Sequence, residues 1–132
     1  MIQHAQLPPS RKVLVVDDTF AAGFMLGKLL EVIGHQVRVA QDGVEALEGF
    51  VKDIPDIVIS DIAMPRMDGY ELARRIRAMP DADHVVLVAL TGHGEDNDRI
   101  LAREAGFDQH LTKPIGLDAL ESLMNSLPAR VG

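Results

Sequence analysis

Five short apolar runs recur along the chain, and between them the apolar residues return at helical spacing. The runs are Lys12-Val-Leu-Val-Val16, Gln36-Val-Arg-Val-Ala40, Asp56-Ile-Val-Ile-Ser60, His84-Val-Val-Leu-Val-Ala-Leu90 and Gln109-His-Leu-Thr112. Continuous β-branched runs of this length read as strands buried on both faces, the habit of a parallel sheet. The alternation over 36–40 places that strand nearer an edge.

The intervening segments carry helix signals. Phe24, Met25, Leu29, Val32 and Ile33 form the predicted inner stripe of a helix over 20–33, with Gly34 at the left-handed C-cap. Gly23 and Gly27 each weaken that helix by roughly 1 kcal/mol against Ala, and their spacing suggests close packing. Asp42-Gly-Val-Glu45 is a capping box, opening a helix with Val44, Leu47 and Val51 inward. A third helix follows Asp68-Gly69 on Leu72, Ala73 and Ile76, and stops by Pro80. A fourth, over 95–105, has only Ile100, Leu101 and Ala105 to bury, so it is a candidate for movement. Leu117, Leu120, Leu123, Met124 and Leu127 line the last.

Strands alternating with helices in this way predict an α/β fold, a parallel sheet covered on both faces and wound by right-handed crossovers. Three of the strands deliver chemistry at their carboxyl ends. The first leads into Asp17-Asp18, the third into Asp61 and the fourth into Thr91, while the fifth runs on to Lys113. Open α/β sheets place their sites at that edge. Pro65 and Asp68-Gly69 then force a loop after Asp61.

Carboxylates gathered there repel, by roughly 4 kcal/mol for a pair at 4 Å and an effective dielectric near 20. A cation must therefore sit among them. An all-oxygen set without His or Cys spacing suits a hard divalent ion, Mg²⁺ above all, held by Asp17 and Asp18. With Lys113 as a second cation and Thr91 as a hydroxyl donor, the group suits phosphoryl transfer. Asp61, alone at its strand end, is the natural nucleophile, giving an aspartyl phosphate.

The composition narrows the alternatives. A chain of 132 residues, 47% hydrophobic and 25% charged, is one domain with a core of its own. Its formal charge of −7 argues against a nucleic-acid partner. The Arg74-Arg75-Ile-Arg77 cluster reads as a solvated helix face. No apolar run reaches the roughly 18 residues of a membrane span, and the start lacks a signal peptide, so a cytoplasmic location is expected. There is no cysteine for disulfide or thiol chemistry. Residues 1–10 and 128–132 read as tails around a domain at 11–127, and a starting Met with short tails favours a free-standing protein.

Four motifs in register carry a family resemblance. Val16-Asp17-Asp18, Asp61 with Met64-Pro65-Arg-Met-Asp-Gly69, Ala89-Leu-Thr91-Gly and Leu111-Thr-Lys113-Pro114 resemble the receiver domain of two-component response regulators, over about residues 11–127. The resemblance implies a flavodoxin-like, doubly wound five-stranded parallel sheet of order 2-1-3-4-5 with five helices. It implies that Asp61 is phosphorylated by a histidine kinase or histidine phosphotransfer protein, in order to switch the surface around residues 91–113 for a downstream protein target. Asp18 and Asp61 would ligate Mg²⁺ (or Mn²⁺) directly, Asp17 through water, and Ala63 through its backbone carbonyl. Thr91 and Lys113 would hold phosphoryl oxygens, and the Lys113-Pro114 bond would be cis.

Such a protein is a signalling phosphoacceptor, a monomer or weak dimer, and not an enzyme beyond catalysing its own phosphorylation and dephosphorylation. The chain departs from chemotaxis-type regulators in placing His110 where they carry a switching aromatic, as receivers of hybrid sensor kinases resembling it do. Ala63 and His93 occupy positions the family uses to tune phosphoryl lifetime. His93 and His110 lie near the site by position and could add pH sensitivity. His4, His35 and His84 are read as surface residues, and Asp68 as a turn residue rather than a ligand. The alternative is an interaction module that keeps the fold without being phosphorylated, a reading weakened by the intact acid set. A flavin carrier is disfavoured because no phosphate-cradling loop follows the first strand.

Overall fold

In the computed structural model, which describes residues 10–92 and 96–127, strands and helices alternate along the chain. The strands are β1 (Lys12–Val16), β2 (Gln36–Ala40), β3 (Ile57–Asp61), β4 (Val86–Thr91) and β5 (Gln109–Thr112). The helices are α1 (Phe20–Val32), α2 (Gly43–Lys52), α3 (Gly69–Arg77), α4 (Asp96–Ala105) and α5 (Leu117–Ser126). All four neighbouring strand pairs are parallel and the order is β2-β1-β3-β4-β5, the flavodoxin-like arrangement expected.

The central strands explain the order. Every residue of β3 is buried, as befits a strand with a neighbour on each side and helices over both faces, whereas β2 and β5 at the edges are half-exposed. Two cores result. Leu14, Val16, Val58, Leu87 and Ala89 pack on one face with Phe50, Leu72 and Ile76, and Val13, Val15, Ile57, Ile59 and Val88 pack on the other with Leu30, Leu120 and Met124. Successive strand residues point to opposite faces, so the runs must be apolar throughout.

Local chemistry closes the elements. Glu45 N–H donates to Asp42 Oδ1 at 2.8 Å, and the Glu45 carboxylate reaches back to Gln41 N–H at 2.7 Å. Asp68 caps α3 in the same way, accepting from Glu71 N–H at 2.9 Å. Gly34, at φ +100, ends α1 in the left-handed region.

Three helices face the core differently from the predicted stripes. In α1 the buried residues are Gly23, Leu26, Gly27 and Leu30, while Phe24, Met25 and Val32 are exposed. This helix is apolar nearly all round, so periodicity alone cannot choose its inner face. Proximity chooses instead: a Cβ at Gly23 would meet Val39 Cγ1 at 3.0 Å, and one at Gly27 would meet Val37 Cγ1 at 3.3 Å. The glycine pair does mark close packing, against β2. In α2 the stripe is Gly43, Ala46 and Phe50, one residue out of phase with the expected one, leaving Val44 and Val51 exposed. Both stripes fit the helical period, and the inward one carries the aromatic, with the most apolar area to bury. In α4 the two alanines, Ala102 and Ala105, are buried and Ile100 and Leu101 are outside. The fourth strand also begins at Val86 rather than at His84.

His35 is a further correction, since it is only 5% exposed. Its Nδ1 accepts the Arg11 backbone N–H at 3.1 Å, which fixes the neutral tautomer protonated on Nε2. The turn that follows α1 folds it inward, with His35 N–H donating to Leu30 O at 3.1 Å. Burial, then the nearby Arg11 charge, lowers its pKa. The unfolded chain therefore binds a proton the folded one refuses, so stability should fall as pH drops below about 6.5. Melting curves between pH 7.5 and 5.5 check this: His35→Gln should flatten the slope, and an unchanged slope would contradict it.

Candidate functional site

At the carboxyl edge of the sheet, β1 and β3 end side by side, with Val16 paired to Ser60. Asp17 follows Val16 directly. Its N–H donates to Ala40 O at 3.0 Å and its Oδ1 accepts Thr19 N–H at 2.9 Å, so the side chain is 2% exposed and fixed. Asp18, one residue on, is exposed. Asp61 is the last residue of β3, and its Oδ1 accepts Ala63 N–H at 3.2 Å. Ligand atoms of Asp17, Asp18 and Asp61 all lie within 4.8 Å of one another.

Lys113 reaches this cluster from the far end of β5. Its backbone N–H donates to Thr91 O at 2.8 Å, and its ammonium sits 3.2 Å from Asp61 Oδ2 and 3.5 Å from Asp17 Oδ2. The Lys113-Pro114 peptide bond is cis. Thr91 ends β4, buried, and among the described residues its Oγ1 has no hydrogen-bond partner. Ala63 is exposed, and the loop it begins is pulled tight by Gly69 N–H donating to Ile62 O at 2.9 Å.

The charges do not balance internally. Burial raises the Asp61 pKa, Asp17 adds to the rise, and Lys113 with the Ala63 N–H offsets only part of it. For Lys113, burial disfavours the charge but Asp61 and Asp17 outweigh it, so the ammonium is held above the usual lysine value. One ammonium against three carboxylates leaves room for a further cation. The donor set is all oxygen, two of its members are rigidly held and one is open to solvent; this fits a hard divalent ion that keeps part of its water. The Thr91 hydroxyl, without a partner among the described residues, can donate to an oxygen placed beside it.

The other expected residues fall less centrally. His110 is half-buried on β5, paired with Ala89 and on the same sheet face as Thr91, and burial followed by the Arg99 charge lowers its pKa. His93 and His4 lie outside the described residues. His84 is exposed, and Asp68 is committed to its helix cap.

A second feature lies on the outer face of α1, where Phe24 and Met25, expected inside, are exposed. Phe20 and Phe24 stack on the outside of α1 with ring centroids 5.9 Å apart, and Lys28 Nζ lies 5.2 Å from the Phe24 ring. Met25 beside them is 59% exposed. It also lines a largely apolar groove of about 460 Å³ with Leu26, Leu29, Pro114 and Ile115, and Asp17 and Lys113 stand in its wall.

The family model described as the response regulator receiver domain matches residues 13–125. The chain belongs to that family. Among curated relatives of this receiver, response regulator MprA of Mycobacterium ulcerans is 38% identical over 121 residues, covering 92% of the chain and 51% of MprA. The chain thus spans about half the length of the curated relatives it matches. Chemotaxis protein CheY4 of Vibrio cholerae has the same fold at a TM-score of 0.85, with 30% identity, covering 90% of this receiver and all of that chain. The receiver domain of sensor histidine kinase PA1611 from Pseudomonas aeruginosa, 26% identical at a TM-score of 0.80 over 89% of this chain and 96% of its own, has a magnesium ion coordinated in its active-site cleft. The receiver domain of the Saccharomyces cerevisiae response regulator Ssk1, seen in complex with the histidine phosphotransfer protein Ypd1, is 26% identical at 0.83, over 89% and 88%. Among the described residues no helix is long and apolar enough to cross a membrane.

Proposed function

We propose that Asp61 is the phosphoacceptor of a two-component phosphorelay, and that residues 11–127 act as its receiver unit in the cytoplasm, as a monomer or weak dimer. The observation that carries this reading is the Asp17, Asp18, Asp61 cluster with Lys113 bridging two of its members. One Asp61 oxygen attacks phosphorus as the bond to the donor, a phosphohistidine nitrogen, breaks on the opposite side. Lys113, already 3.2 Å from that carboxylate, pairs with a phosphoryl oxygen as the negative charge moves outward. Thr91 donates its hydroxyl to another. Asp17, Asp18, Asp61 and the Ala63 carbonyl would hold Mg²⁺ or Mn²⁺, which when bound neutralises phosphoryl charge. The chain in this way catalyses its own phosphorylation and dephosphorylation.

The phosphoryl group brings about −1.5 to −2 charges to a buried carboxylate. Drawing Thr91 toward it displaces the end of β4, and the surface around residues 91–113, with His110 beside it, presents the change to a downstream protein. The donor, a histidine kinase or phosphotransfer protein, docks on the apolar outer face of α1 and the groove beside it, which lead directly to Lys113. Phe24→Glu should accordingly slow transfer from a histidine phosphotransfer protein by about tenfold or more, the range of a central apolar contact. Rates with a small phosphodonor should stay unchanged; equal loss with both donors would contradict this surface.

The reading is tested by incubating the protein with Mg²⁺ and a small phosphodonor and following intact mass. It expects the gain of one phosphoryl group, prevented by chelation of the metal. No gain at any metal concentration would leave only an interaction module retaining the fold.

A further inference from the structure

The carboxyl end of α4 is held by a dense joint. At its carboxyl end Gly106, at φ +116, closes the helix, its N–H donating to Ala102 O and Arg103 O and that of Phe107 to Ala102 O. Phe107 is buried in the core, and Asp108 is tied to β4 in both directions. Its N–H donates to Leu87 O at 2.8 Å, and its carboxylate accepts Leu87 N–H at 2.8 Å. Arg77 of α3 completes the joint. Its guanidinium donates to Gly106 O at 3.0 Å, Ala82 O at 3.1 Å, Val85 O at 2.9 Å and Asp108 Oδ2 at 2.6 Å. The fit is tight enough that a Cβ at Gly106 would meet Arg77 Cγ at 2.7 Å.

Among the described residues no comparable joint holds the middle of the helix. Ile100 and Leu101 face outward, at 55% and 43% exposure, and the helix buries only Ala102 and Ala105 among its described side chains. A helix with so little apolar burial opens at low cost, and it opens where its hydrogen bonds lack tertiary support.

We propose that Arg77 and Asp108 form a fixed pivot, about which α4 opens from its amino-terminal end while residues 105–108 stay in place. Arg77 suits the task because its planar fork satisfies several acceptors at once, which no lysine can do. Displacement near Thr91, at the other end of the β4–α4 connection, is then turned into a swing of α4 rather than a translation of it. The pivot is a property of the resting chain and stands whether or not Asp61 is phosphorylated.

Native-state amide hydrogen exchange on the whole chain tests it. In the natural protein the amides of residues 105–107 should exchange more slowly than those of 100–102. In Arg77→Ala their exchange should rise by about tenfold or more, the effect of losing hydrogen bonds to a charged group, and the gradient along α4 should vanish. Strand amides of residues 88–90 should change far less. Asp108→Asn, which keeps the shape and loses the charge, should give a smaller rise at the same residues and decides the matter if Arg77→Ala fails to fold. A flat profile along α4 in the natural protein overturns the pivot. So does a uniform rise across helix and sheet in the variants, which would mean that the clasp serves only global stability.

Discussion

Asp61→Asn should gain no phosphoryl mass under conditions in which the natural chain is labelled, even though Asp17 and Asp18 remain within reach. Three carboxylates share the pocket, and only position distinguishes them. Asp17 is locked by Thr19 N–H and by its place against β2, and Asp18 opens to solvent. Asp61 alone ends the central strand with Lys113 over one oxygen and Ala63 N–H on the other. An amide there keeps the shape but cannot attack phosphorus. The same substitution should raise the melting temperature in metal-free buffer at neutral pH. Burial holds the Asp61 pKa above the ordinary carboxylate value, so its ionised form is less favourable folded than unfolded. The sign follows: stability falls as pH rises from the unfolded pKa to the folded one, and the neutral amide removes that loss. Labelled Asp61→Asn, or a variant that melts lower, would contradict the assignment.

Gly69→Ala should be the most damaging single methyl in the described chain. A Cβ at this position would collide with the Asp61 backbone carbonyl, and it would lie 2.8 Å from Ile62 Cα and 3.1 Å from Ile62 Cδ1. Two of these atoms are backbone at the end of β3, so no side-chain rotation relieves them. Overpacking of this kind reaches about 3 kcal/mol, a large part of the 5–15 kcal/mol that holds an ordinary domain together. The loop it would push outward carries Ala63, whose N–H orients Asp61. Thermal melting and a Mg²⁺ titration followed by NMR should therefore move together, with lower stability and weaker metal binding. By contrast, a Cβ at Gly92 meets nothing within 4 Å, and alanine there should be nearly neutral. If Gly69→Ala melts within a degree of the natural protein, the close approach of the loop to the site is wrong.

The strands and the site edge were legible in the sequence because burial on both faces leaves an unambiguous record. β1, β3 and β4 are apolar at nearly every position, Lys12 at the start of β1 and the small Ser60 of β3 apart, so the acids and the hydroxyl that end the runs, Asp17, Asp61 and Thr91, mark the edge. Turn and cap chemistry was legible for a similar reason, since Asp42, Asp68 and Gly34 each satisfy a local need. The facing of α1, α2 and α4 was not. An apolar side chain records only that burial is favourable, and in α1 the inward face is chosen by the absence of side chains at Gly23 and Gly27. The expected stripe thus turned inward Phe24 and Met25, which in the fold are exposed beside Phe20. His35 was missed because its burial depends on Arg11, a residue remote in sequence whose backbone N–H needs an acceptor. The Arg77 joint was hidden likewise, since a cluster of arginines reads as solvated until the carbonyls of another element lie beneath one of them.

Phosphorylation at Asp61 as proposed needs one pocket in which three acids share a cation beside Lys113. Crystals grown with Mn²⁺ test this directly through the anomalous signal of the metal. One strong peak is expected at the carboxyl edge of the sheet, in contact with the Asp18 and Asp61 carboxylates and the Ala63 carbonyl, with Asp17 joined through water. A peak elsewhere on the molecule with none among these acids would contradict it.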